Sequence, residues 1–69
     1  MKTYTLKYET STAVVTGDLT FRSDGTVSYV WSCENIDWYR DGKFIKSSYG
    51  PVRDSLAKRQ LDGFVLVKA

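Results

Sequence analysis

Residues 13–33, AVVTGDLTFRSDGTVSYVWSC, hold the strongest fold signal in the chain: two alternating runs around one glycine-containing loop. In Ala13–Arg22 the odd positions Ala13, Val15, Gly17, Leu19 and Phe21 are apolar or small. Val14 breaks an otherwise polar even set of Thr16, Asp18, Thr20 and Arg22. In Thr26–Cys33 the apolar set is Val27, Tyr29, Trp31 and Cys33, again odd. Period two marks strands that lay one face on a core. Ser23-Asp24-Gly25 suits a three-residue hairpin loop closed by a left-handed glycine. Pairing Arg22 with Thr26 then sets Phe21 opposite Val27, Leu19 opposite Tyr29 and Gly17 opposite Trp31, the aromatic covering the strand glycine.

Working outward, Thr3–Glu9 alternates with Tyr4, Leu6 and Tyr8 on one side. A tight turn around Thr10-Ser11 puts Tyr8 opposite Ala13 and Leu6 opposite Val15. The expectation is one antiparallel meander over residues 3–33, its shared face carrying Leu6, Val15, Leu19, Phe21, Tyr29 and Trp31. Glu34-Asn35-Ile36-Asp37 reads as a polar break. Trp38 to Ile45 reads as a short second hairpin around Asp41-Gly42, with Tyr39 paired to Phe44. Gly50-Pro51 predicts a helix start, with Val52 and Leu56 on one face and Asp54 four residues before Lys58 on the other. Leu61-Asp62-Gly63 predicts its stop. Phe64-Val65-Leu66-Val67, apolar on both faces, predicts a last strand in an internal or covered position. The fold class expected is α+β, one domain over residues 1–69: a meander, a short second hairpin, one short C-terminal helix packed on the aromatic face, and a final strand.

The 69 residues allow one domain, and a chain this short buries only about 60% of its unfolded surface. Two Trp, five Tyr and three Phe partly compensate by burying large areas. Cys33 is the only cysteine, so no disulfide forms within the chain. An unstapled domain of this size fits a reducing interior, and no stretch approaches the ~20 apolar residues of a membrane span. A soluble cytoplasmic protein is expected, with no membrane partner.

Catalytic chemistry has little to work with. There is no His, the usual proton carrier near neutral pH and the commonest metal ligand. One Cys without a His makes no thiolate pair and no zinc cluster. No phosphate-cradling GxxxxGK or GxGxxG string occurs. Glu34 and Asp37 are close enough in sequence to flank a site together. So short a chain offers little room for a cleft, and no ligand spacing supports one, so they read as a solvated loop. Neither cofactor nor metal is expected, and the chain reads as non-enzymatic.

Charge is divided along the chain. Residues 1–39 carry a net −2, and residues 40–69 a net +4. Basic and aromatic side chains interleave from 38 to 59: Trp38, Tyr39, Arg40, Lys43, Phe44, Lys46, Tyr49, Arg53, Lys58 and Arg59. These ten are the candidate partner-binding residues. Tyr, Trp, Phe and Arg are the residues interfaces favour, and the surplus of cations calls for a larger protein with an acidic contact surface. The same interleaving also suits a phosphate backbone with stacked bases, so a small nucleic-acid-binding domain is the alternative. Against it stand a pI of 8.8, below the ~9 of dedicated domains, and the lack of RNP-type or GXXG strings. Small size without catalytic chemistry further associates the chain with inhibitors of host machinery of the phage or mobile-element type, anti-CRISPR proteins among them, which act by steric occlusion. An unsatisfied strand edge, strand one for instance, is a further route to a partner.

Overall fold

The computed structural model describes residues 2–49 and 60–68. Among these residues five strands make one antiparallel sheet: β1 (Lys2–Tyr8), β2 (Ser11–Phe21), β3 (Val27–Arg40), β4 (Lys43–Tyr49) and β5 (Val65–Lys68), in the order β4-β3-β2-β1-β5. The expected α+β class is therefore corrected: the described residues are largely all-β. Most of the expected helix falls on residues 50–59, outside the described residues, as do Val52, Leu56 and the Asp54–Lys58 pair. Among the described residues only Gln60 and Leu61 carry helical backbone, and Gly63 turns left-handed after them at φ 87°. The polar break at 34–37 is no break. β3 runs through it for 14 residues, and Ile36 is fully buried there.

The hairpin loop at Ser23-Asp24-Gly25 forms as its residues dictate. Arg22 donates its backbone N–H to the Thr26 carbonyl at 2.8 Å, and Phe21 pairs with Val27. The Asp24 carboxylate accepts the Thr26 N–H at 3.0 Å and the Thr26 hydroxyl at 2.6 Å. Those bonds hold the Asp24 carboxyl below its ordinary pKa. At the next hairpin, Asp41 (φ 52°) and Gly42 (φ 77°) both adopt the left-handed region that a two-residue turn matched to strand twist demands. Tyr39 pairs with Phe44 as expected, their rings edge-on at 5.6 Å, and this hairpin joins the main sheet.

Beyond Phe21–Val27 the expected register fails, for a definite reason. β3 bulges three times against β2. Thr20 pairs with Tyr29, Leu19 with Val30, Asp18 with Ser32, Gly17 with Cys33 and Thr16 with Asn35, so Ser28, Trp31 and Glu34 are extra residues. Each bulge exchanges the faces. The buried row of β3 is Val27, Val30, Cys33 and Ile36, at period three, while β2 keeps Ala13, Val15, Gly17 and Leu19 at period two. Trp31, expected in the core opposite Gly17, is 64% exposed and packs edge-on against Tyr29 at 4.6 Å. Gly17 faces β3 backbone instead. A Cβ there would collide with the Ser32 carbonyl oxygen and lie 2.8 Å from Cys33 Cα.

The first hairpin departs from expectation by two residues. Glu9 and Thr10 form the turn, Tyr8 pairs with Ser11, and Leu6 pairs with Ala13. A two-residue shift preserves the faces, so Leu6 stays buried. β5 lies at the end of the strand order beside β1, with Val67 exposed, rather than inside the sheet. Its outer side meets the tip of the β2–β3 hairpin. Val27 N–H donates to the Phe64 carbonyl, Leu66 N–H donates to the Gly25 carbonyl, and Val65 bridges Thr26. The sheet thus curls towards a barrel. Leu61 and Phe64 join Leu6, Val15, Leu19, Val30 and Ile36 in its core.

The bulged register predicts that Ile36→Ala costs about 2–5 kcal/mol, as a cavity in a fully buried site should. Trp31→Ala should cost less than about 1.5 kcal/mol, the worth of an exposed aromatic pair. Urea midpoints of the two variants check this, and the reverse order would restore the unbulged pairing. Gly17→Ala should lose about 1–3 kcal/mol or more in the same assay, because the β3 backbone must move to admit a methyl group.

Candidate functional site

A groove of about 410 Å³ opens where the β3–β4 hairpin meets the segment leading into β5. Trp38 and Phe64 form its aromatic wall, rings edge-on at 5.9 Å, with Phe64 almost fully buried and Trp38 half-buried. Arg40 and Lys46, both exposed, stand at its rim with Ile45, and Ser11, Tyr39 and Gln60 complete it.

Local sequence explains this arrangement. Trp38 pairs with Ala13, whose small side chain leaves space beside the indole, and across the other edge with Lys46. Pairing then shifts, Tyr39 meeting Phe44, which makes Ile45 an extra residue in β4. This bulge leaves Ile45 52% exposed at the groove. Arg40 pairs with Ser11 on β2 and Lys43 on β4 next to the Asp41-Gly42 turn. Among the described residues Arg40, Lys43 and Lys46 have no ion-pair partner. The nearest carboxylate in sequence, Asp41, lies at the turn itself. The Trp38 Nε1–H is shielded and has no acceptor among the described residues.

Four of the ten expected binding residues, Trp38, Tyr39, Arg40 and Lys46, therefore share one groove. Lys43 is exposed at the hairpin end, and Phe44, 57% exposed, meets Tyr39 edge-on. Tyr49 ends β4, paired through its backbone with Asn35. Arg53, Lys58 and Arg59 lie outside the described residues. Sequence reasoning missed Ser11, Ile45, Gln60 and Phe64. The run before β5 carries no pattern that pairs it with residue 38, and the β4 bulge leaves no trace in residue types.

Glu34 and Asp37 do not form a carboxylate pair. Glu34 is an exposed bulge residue. Asp37 instead accepts bonds from Ser47 Oγ at 2.6 Å and Asn35 Nδ2 at 3.2 Å, tying β3 to β4. No group of three or more His, Cys, Asp or Glu among the described residues is placed to hold a metal ion. No described helix is long and apolar enough to cross a membrane.

Cys33 is buried in the core row opposite Gly17, and burial pushes its thiol above the ordinary value. The unfolded chain ionises first, so this thiol lowers stability as pH rises from the unfolded pKa through the folded one, and has no effect below both. Folded protein should therefore resist iodoacetamide at mildly alkaline pH while denatured protein reacts at the rate of a free thiol. Equal rates in the two states would refute the buried assignment.

Comparison with protein-family models, with curated proteins and with solved structures finds no match to this chain.

Proposed function

We propose that the chain is a non-enzymatic protein-binding module that holds an acidic surface of a larger protein at the groove beside the β3–β4 hairpin. One observation carries this reading: two exposed cations without ion-pair partners among the described residues flank an aromatic wall. Aromatic rings supply contact area at low entropic cost, and Arg suits carboxylates through its planar fork. Among the described residues that line the groove there is no carboxylate, imidazole or thiol. A module that covers an acidic patch can inhibit by steric occlusion. That narrower reading, an inhibitor of the phage or mobile-element type, draws on small size and the lack of catalytic motifs in the sequence.

Nucleic acid is the competing partner, and capture separates the two. Tagged protein is used to retain partners from a lysate of its source cells, with and without nuclease, beside the folded variant Arg40→Glu with Lys46→Glu. Both side chains are exposed, so the reversal should leave the denaturation midpoint in place. The expected result is a protein partner that survives nuclease and binds the double variant about tenfold or more weakly. Loss of every partner on nuclease treatment transfers the function to nucleic acid. Undiminished binding by the folded double variant removes the groove from the function.

A further inference from the structure

β4 ends the sheet, and among the described residues no strand bonds to its outer edge. The opposite end is different, because the outer side of β5 is met by Gly25 to Val27. From Lys43 to Tyr49, β4 thus presents alternate N–H and C=O groups outward, a ready template for another strand. Open edges are commonly blunted by bulges and lysines, and β4 has both, at Ile45 and at Lys43 and Lys46. Yet Phe44 and Ile45 are 57% and 52% exposed on the same strand. Lysine on an apolar, open edge selects the occupant. Two antiparallel copies of β4 would bring the lysines of both copies together, and like charges across a ladder repel. An acidic strand meets the same cations with opposite sign.

We infer that β4 receives an extended acidic segment of the partner protein as an added strand, anchored by one side chain in the adjoining groove. This rests on the reading of the chain as a protein-binding module and specifies how the partner is held. Backbone bonds along β4 supply the alignment. Carboxylates of the segment face Arg40, Lys43 and Lys46, and an apolar side chain enters beside Ile45 and Trp38. The edge accommodates about seven residues, roughly 24 Å at the antiparallel rise of ~3.4 Å per residue.

The test uses the intact chain and a capped seven-residue peptide with threonine at the even positions, phenylalanine at the fifth and glutamate at the other odd positions, so that acidic and aromatic side chains share one face. Two further peptides carry N-methyl groups, one on the odd and one on the even backbone nitrogens. Only one of these sets faces β4 in an added strand. Titration calorimetry should show one methylated peptide weakened about tenfold or more while the other keeps the parent's affinity, since only one loses ladder bonds. Amide exchange should slow at alternate β4 positions on binding the parent. Equal binding of all three peptides, abolished by Arg40→Glu with Lys46→Glu, would overturn strand addition and leave the acidic-partner reading standing. No binding of the parent overturns strand addition as well, and the capture experiment then judges the acidic-partner reading by itself. Tighter binding of a single-stranded oligothymidylate than of the parent peptide would overturn both.

Discussion

The inner row of β2 repeats every two residues and the inner row of β3 every three, and the rest of the structure depends on how these rows are made to match. A ladder joins residues one to one, so the longer β3 row fits only if one residue is expelled per repeat. Ser28, Trp31 and Glu34 are those residues. Each expulsion bends β3 and adds to its right-handed twist, the device by which a sheet curls far enough to close. The close approach of the two strands in the middle of this stretch requires Gly17, because no side chain fits between it and the β3 backbone. Curling carries the loop at Gly25 round to Leu66, and the core is sealed there by Leu61 and Phe64.

Much of this was legible in residue types, and the failures along β3 have one source. The loop at Asp24-Gly25, the Phe21–Val27 pair, the Asp41-Gly42 turn and the Tyr39–Phe44 pair all rest on local turn chemistry, which the sequence states openly. Rows at period two and period three coincide every six residues, so Val27 and Cys33 belong to both. Between them the alternation rule chose Tyr29 and Trp31, the larger apolar residues, where the bulged strand buries Val30. The same bulges carry β3 through Glu34–Asp37, where three polar side chains around Ile36 resemble a loop. Reading a break there divided one sheet into two units and gave the last segment a separate role. The α+β assignment followed instead from the helix expected between Gly50-Pro51 and Gly63, most of which lies outside the described residues.

The candidate site shows the same mixture. Charge and aromatic content pointed to the hairpin at 38–46, and the groove is there. Its other wall comes from Gln60 and Phe64, far along the chain, and only the curl of the sheet brings them to Trp38. The alternation of basic and aromatic residues also suggested a single surface, whereas Trp38 packs against Phe64 and Tyr39 against Phe44. A bulge at Ile45 then places an apolar side chain beside the cations. Bulges thus set both the core of this protein and the rim of its groove.

The closing contacts of β5 bear on the order of assembly. The three hairpins among β1 to β4 join neighbours in sequence, so little chain must be immobilised before their contacts form. β5 instead pairs with β1, Thr5 meeting Lys68, and touches Gly25 and Thr26 at the hairpin tip. Every one of these contacts spans most or much of the chain. The four-stranded sheet is therefore the natural nucleus, and docking of Leu61, Phe64 and β5 completes the protein last. Until then the buried row of β3 lacks its cover and the groove lacks a wall. A nascent chain with residues 60–68 still inside the ribosomal tunnel would hold most of its strands but not the closed groove.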